Sequence, residues 1–377
     1  MKTRLLFLGL SILAGIPSLP AQNFINLSLS QSGVLTCTNL NPGSTATVQY
    51  ATSLIRNEET NWAEFNSYLV GTNGAITVTL PMQYSLQFYR VQDMPATPTG
   101  MALIPAGTFT MGDTLDGLSD AKPKIVYVSA FFMDVNLVSL NLWNDVFNYA
   151  TNHGYVFLNS GAGKAMTHPV NTINWYDCLI WCNARSAREG LIPVYYTDSG
   201  FTQIYTHGKV AVFANWQANG FRLPTEAEWE KGARGGLSGQ RFPWGNTINE
   251  NYANYFSQWS NGVPFFVYDV NSYAGFNTNF NIGGFPYTSP VGSFPPNGYG
   301  LCDMVGNLIE WTWDLYGGSL GQPTTNNPTG AVSGSGQRGL RGCYWNSWPV
   351  LARCAFRNYD YPEDTKFYFG FRSVRRP

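Results

Sequence analysis

FRLPTEAEWEKGARGG, residues 221–236, is the stretch on which the reading of this chain turns. Thr225 and Glu228 have the spacing at which a hydroxyl and a carboxylate each satisfy a free backbone N–H, so a helix is predicted to start at Thr225. Glu226 adds negative charge at the positive end of that helix, and Gly235 supplies the residue without a Cβ that a left-handed stop favours. Capping and ion pairing account for Glu226, Glu228 and Glu230, and neither they nor Asp177 sit in a pattern that calls for acid–base catalysis. Two more helices are legible upstream. Ser139 can cap a run with Leu142, Trp143, Val146, Phe147 and Ala150 at helical spacing, and Asn174 can cap another that passes through Trp175, Leu179 and Cys182 to a stop at Gly190.

Outward from these helices the pattern changes. Beyond residue 236 there are loops and short strands, and residues 101–111, MALIPAGTFTM, read as a strand pair around a Pro-Ala-Gly turn. This larger domain is expected over residues 101–377. Residues 94–100, MPATPTG, read as a linker. Before it, residues 22–93 alternate apolar and polar positions in short runs, which predicts a small β-sandwich-like module with no catalytic constellation. Residues 1–21 have Lys2 and Arg4, an apolar run from Leu5 to Ile16, and small residues ending at Ala21, the layout of a signal peptide. Export to the periplasm or the extracellular space follows as an expectation.

The 377 residues include 22 Lys+Arg and 23 Asp+Glu, a formal charge of −1, so no global field favours nucleic acid. No stretch has the ~20 apolar residues of a membrane span. Only 12% of residues are charged while 15% are aromatic and 39 are Gly, which points to a loop-rich α+β fold with many buried rings. From Arg338 onward the basic residues are Arg338, Arg341, Arg353, Arg357, Lys366, Arg372, Arg375 and Arg376, and these are expected to pair with carboxylates inside the fold. The six cysteines leave disulfide connectivity open, and the three histidines are not spaced to complete a zinc site.

Four stretches, in this order, carry a resemblance: FRLPTEAEWEKGARGG (221–236), RFPWGN (241–246), VGSFPPNGYGLCDMVGNLIEWTWD (291–314), and RGLRGCYW through GFRSVRR (338–376). Together they resemble the formylglycine-generating enzymes, or sulfatase-modifying factors, whose fold is a variant of the C-type lectin fold. The resemblance covers roughly residues 100 to 377, preceded by the small all-β module. It implies an oxidation of sulfatase cysteines through two thiolates that hold copper, and soft thiolates are what Cu(I) requires. Here the first thiolate position is Asn346, and the segment Trp348 to Leu351, where the second falls, has no Cys. Copper and formylglycine synthesis are therefore not expected. Cys343 stands where the family has Ser; it is either a relocated nucleophile or, the reading favoured here, a small buried residue. Two family disulfides are implied to be broken, since the partner positions of Cys354 and Cys182 are Ala233 and Ser373.

The resemblance also implies a structural calcium ion held by Asp303, the carbonyls of Gly306 and Leu308, and Glu310, hard oxygen donors that suit Ca²⁺. A second calcium site matches in part: Asn254 and Tyr255 are present, and Gly283 replaces its Asp. The nonheme iron sulfoxide synthases on this fold take their iron ligands from a His-rich helical domain, whereas the first 93 residues here have no His. The ending is similar, too, to the variable proteins of diversity-generating retroelements, which display ligand-binding residues in the same place. Tyr344, Trp345, Asn346, Ser347, Trp348, Asn358 and Tyr359, with Tyr361 beyond them, are the residues expected to line a groove, because aromatic faces beside amides and hydroxyls suit a protein, peptide or glycan ligand. The expectation is a calcium-stabilised binding module; the alternative is an oxidoreductase of the formylglycine-generating type.

Overall fold

The computed structural model describes residues 97–317, 325–331 and 333–377 throughout, and, of the first 94, the strands and positions 40, 44, 70 and 75. The chain divides into two compact units, Met1–Pro98 with Pro377, and Thr99–Arg376.

The first unit has two antiparallel sheets. One runs in the order Lys2–Phe7, Phe88–Met94, Thr45–Ala51, Ala63–Leu69, and the other Asn26–Leu29, Val34–Thr38, Ile76–Thr79. Strand periodicity sets what is buried: Leu35 and Cys37 are interior and face Val78 and Ile76 across the ladder, while Thr77 and Thr79 are exposed. The segment read as a leader supplies the edge strand Lys2–Phe7. The rest of its apolar run and the cleavage position at Ala21 lie outside the described residues.

In the second unit the three expected helices form: α1 (Leu140–Thr151), α2 (Trp175–Arg188) and α3 (Glu226–Arg234). Ser139 Oγ accepts from Leu142 N at 3.2 Å, and Thr225 and Glu228 exchange side-chain and backbone bonds at 3.2 and 2.9 Å. Asn174 goes further than a cap, because Asp177 completes a capping box with it at 2.9 and 3.1 Å. Gly235 ends α3 in the left-handed region at φ 56°, close against Gly298 and Asn297, where a Cβ would collide.

α1 and α2 pack through Trp143 and Trp181, whose rings lie parallel at 6.1 Å, and Phe371 meets both edge-on. α3 lies against a four-stranded sheet of order Arg357–Asp360, Arg338–Arg341, Ile309–Leu315, Phe369–Gly370. A three-stranded sheet joins Val374–Arg375 to Phe131–Asp134 and that strand to Met101–Ile104. The segment 101–111 is thus not a hairpin. Its second strand, Gly107–Met111, turns away at Pro105 and pairs with Lys124–Val128 in a different sheet. Proline has no N–H to contribute to a ladder, so the two strands separate there.

All nine residues of α3 are buried, an unusual setting for a helix that reads EAEWEKGAR. Arginines, all but one from outside the helix, make this possible. Arg357 grips Glu226 at 2.5 and 2.8 Å, Arg222 grips Glu228 with two bonds of 2.6 Å, and Glu230 is shared between Arg234 and Arg341. Arg353 reaches Asp113 and Asp120, and Arg372 reaches Glu310. Not every basic residue of the ending takes a carboxylate. The guanidinium of Arg338 stacks 3.9 Å over Trp175 and donates to Trp313 O, Arg375 lies over Phe132 and Phe221, and Arg376 donates to Gln217. Aromatic faces replace anions at the first two of these positions.

Candidate functional site

Strand Arg338–Arg341 delivers the chain to Gly342, whose φ of 74° and close approach to the Trp229 ring disfavour a side chain. Cys343 follows and turns inward, packed with Phe242, Ala253, Tyr255 and Val305. Burial pushes its thiol up to about 12 despite an opposing backbone hydrogen bond from Gly306. A thiol held this high stays protonated at neutral pH, and the thiolate is the nucleophilic form.

The next residues form a tight turn. Ser347 N donates to Tyr344 O at 2.8 Å, and Tyr344 N donates to Ser347 Oγ at 3.1 Å. The turn sorts the expected groove residues into two groups. Trp345 is only 1% exposed, its ring enclosed by Phe276, Phe285, Tyr287 and Phe367 at 5.3 to 6.1 Å, and Ser347 is spent on the turn. These two support the surface and do not line it, because a ring surrounded by rings has no face left for a ligand. Tyr344 is half-buried, stacked on Tyr368 at 4.4 Å. Asn346 is exposed, and so is Trp348, at 47%. Phe285 and Phe367, which cover Trp345 from outside, are 68% and 48% exposed and extend the aromatic surface. They were not among the residues expected from the sequence; for Phe285 the run GGFPY, residues 283–287, was the available signal, since a Gly-Gly pair marks a loop and loops run over the surface.

Asn358 and Tyr359 keep different company. They lie exposed on the outer strand of the four-stranded sheet, where Tyr359 leans on Tyr316 at 4.3 Å. Tyr361 is also exposed. The segment Trp348 to Leu351 enters a short 3-10 helix, Pro349–Ala352, that Trp348 precedes.

Asp303 adopts φ 55° and points its carboxylate inward, where Oδ2 accepts from Gly292 N at 2.6 Å and Oδ1 is buried with no partner. Burial lifts its pKa to about 6, with the charge of Glu310 adding to the effect and Gly292 and Arg372 opposing it. Glu310 is less free. Both its oxygens accept from Arg372, at 2.8 and 3.0 Å, and that arginine also donates to Cys302 O and Asp303 O. Among the described residues no three His, Cys, Asp or Glu side chains group to hold a metal, so an ion here would depend on Asp303 and backbone carbonyls such as those of Gly306 and Leu308.

The residues of the second expected cation site have the following partners. Asn254 donates its side-chain amide to Tyr287 O, its backbone carbonyl accepts from Asn307 N, and the Tyr255 hydroxyl donates to Asp269. Beside Gly283, where the family places an Asp, the ammonium of Lys164 sits 3.9 Å from the position of a Cβ, so a positive charge already stands there. Close by in sequence, Glu250 is buried, with Oε1 accepting from Asn271 at 2.8 Å and Oε2 unpartnered. Its pKa rises to about 7, chiefly from burial and in smaller part from Asp269.

All six cysteines are free thiols. Cys178 and Cys182 are neighbours on the buried face of α2, and burial raises both. They belong to the core of the helix pair, not to the turn at Asn346. Asp177 accepts from Leu158 N, Asn159 N and the Asn159 amide in addition to its capping bonds, which occupies its carboxylate structurally.

Comparison with known proteins adds to this geometry. The sulfatase-modifying factor enzyme 1-like domain matches residues 87–377, a span that includes the strand Phe88–Met94 of the first unit. The chain is 32% identical to formylglycine-generating enzyme of Bos taurus over 297 residues, covering 74% of this chain and 75% of the relative. It is 38% identical to inactive C-alpha-formylglycine-generating enzyme 2 of Mus musculus over 336 residues, covering 81% of this chain and 96% of the relative. Among solved structures, Treponema denticola variable protein 1 superposes with a TM-score of 0.56 at 28% identity, covering 74% of this chain and 95% of that one.

Proposed function

The chain belongs to the sulfatase-modifying factor family, and from that premise we propose that it is an exported ligand-binding member that has kept the scaffold and given up the copper chemistry. One observation carries the reading: where the resemblance places the family's thiolates, this chain has the exposed amide of Asn346 and the Cys-free segment Trp348 to Leu351, and the exposed rings of Trp348, Phe285 and Phe367 belong to the same stretch of candidate surface. Such a surface joins apolar area to adaptable hydrogen bonding, which suits a peptide or a glycan. The buried thiol of Cys343 offers no replacement nucleophile. The mouse relative named as inactive and the superposition on a variable protein are consistent with a binding role on this scaffold.

Calcium is proposed as a structural ion at Asp303. The unpartnered Oδ1, deep in the fold beside a second carboxylate, is the kind of atom a divalent cation would satisfy. Asp303 and the carbonyls of Gly306 and Leu308 would hold it, with Glu310 reached only by sharing Arg372. The ion would supply charge compensation and fix the loop that carries Asp303.

The test is to screen the full chain against peptide and glycan arrays, then to repeat the best hit with Trp348→Ala and Asn346→Ala. Loss of binding with an unchanged circular dichroism spectrum supports the reading. Incubation with copper and a sulfatase-type cysteine peptide, followed by mass spectrometry, provides the opposite arm: any formylglycine refutes it. Elemental analysis should find calcium near one equivalent and no copper.

A further inference from the structure

Eight basic side chains are deeply buried among the described residues, and seven of them, Arg185, Arg222, Arg234, Arg341, Arg353, Arg357 and Arg372, have a carboxylate within ion-pair distance. Lys231 of α3 is the exception. It is 5% exposed, and its ammonium donates only to backbone carbonyls, Gly107 O at 2.9 Å and Val128 O at 3.4 Å. Glu228, one helical turn back, is the obvious partner, but its carboxylate is spent on Arg222 and the helix start. A buried ammonium carries three donors and is costly without an anion, so this position is electrostatically incomplete.

Lys231 also lines a surface cavity of about 350 Å³, within the size range of small-ligand sites. Thr108, Thr110 and Ser238 bring hydroxyls to its rim, and Phe109, Leu237 and Tyr299 form apolar walls. Arg234 lines it too, but its guanidinium is bonded to Glu230, so Lys231 is the lining cation with no carboxylate partner. We propose that this cavity binds a small monocarboxylate with an apolar body, whose head pairs with Lys231 and whose tail lies against Phe109, Leu237 and Tyr299. One uncompensated charge selects a monoanion over a phosphate dianion, and the apolar walls select against small hydrophilic acids. Burial alone pulls the Lys231 ammonium down to about 8, as it must where no anion faces it, and a bound carboxylate would reverse that shift.

The test uses phenylacetate as probe, with phenylacetamide as its uncharged match and inorganic phosphate as the dianion, by calorimetry on the full chain at pH 7. Phenylacetate should bind, phenylacetamide should not, and phosphate should not compete. Lys231→Met should weaken phenylacetate about ten- to a hundredfold, the worth of one charge-assisted hydrogen bond. Independently of any variant, phenylacetate should slow reductive methylation of Lys231, followed by peptide mass spectrometry, and leave exposed Lys209 unaffected. Equal affinity for acid and amide, full affinity in a folded Lys231→Met protein, or no protection of Lys231 each overturns the assignment.

Discussion

Replacing Glu230 by glutamine would test how far the charged interior of α3 holds the domain together. The Glu230 carboxylate is fully buried and accepts bonds from Gly112 N at 2.7 Å, Arg234 Nε at 2.9 Å, Arg234 Nη2 at 2.6 Å, and Arg341 Nη2. Glutamine keeps the shape, removes the charge and turns an N–H₂ toward a guanidinium. Arg341 retains three backbone carbonyls and Glu226 at 3.9 Å, so its loss is moderated, whereas Arg234 is left with carbonyls alone. Removing one partner of a buried pair costs about 3–5 kcal/mol, and the expectation for Glu230→Gln is about 4. That is a large share of the roughly 5–15 kcal/mol of a whole domain. Urea denaturation of the full chain would measure it, with Glu189→Gln as control: Glu189 is more exposed and Arg185 keeps Asp134, so a loss of ~1 kcal/mol or less is expected there. If Glu230→Gln stays within about 1 kcal/mol of the parent, the charges are interchangeable with neutral hydrogen bonds and the reasoning fails.

Gly306→Ala should destabilise the domain by at least ~2 kcal/mol, because the position has φ 81° and a Cβ would come within 2.2 Å of Asn254 O; an unchanged melting temperature would contradict that geometry. Glu250 has a pKa raised to about 7, so the fold favours its protonated form. Its contribution is complete below the ordinary carboxylate range and declines as pH rises toward 7. The decline is roughly 2 kcal/mol once solvent screening is allowed for, and Glu250→Gln should flatten the stability profile between pH 5 and 8. Cys343 and Cys354 should resist iodoacetamide in the native protein at pH 8 and react only on unfolding, while Cys302, less buried and held up less strongly, should label first; fast native labelling of Cys343 would restore it as a reactive centre.

The parts of this fold legible in the sequence were those fixed by neighbours. The Thr225 and Glu228 box, the Ser139 and Asn174 caps and the Gly235 stop all act within one helical turn, so spacing alone located three helices. That the arginines of the ending would find carboxylates was legible in kind, but Glu226 meets Arg357 131 residues away, and no local pattern selects that partner over another. Residues 101–111 misled because alternation shows that strands exist and not which strands pair. Trp345 misled for a related reason: whether an aromatic residue in a glycine-rich stretch faces in or out depends on Phe285 and Tyr287, some sixty residues earlier. The isolation of Lys231 was hidden by its helix, which offers it glutamates that other arginines had already claimed.

The strand Val374–Arg375 has a consequence for how the protein comes into being. It completes the sheet begun by Met101–Ile104 and Phe131–Asp134, while Ser373 meets Asp134 across 239 residues and Arg222 exchanges backbone bonds with Val374. A chain emerging from the ribosome therefore has Asp134 without Ser373, and Glu310 without Arg372, until nearly the whole domain has been synthesised. Assembly must wait for that last stretch, and contacts of such long range make it slow. During the wait the growing polypeptide remains open and loosely organised, the condition in which chaperones can hold it and proteases can destroy it.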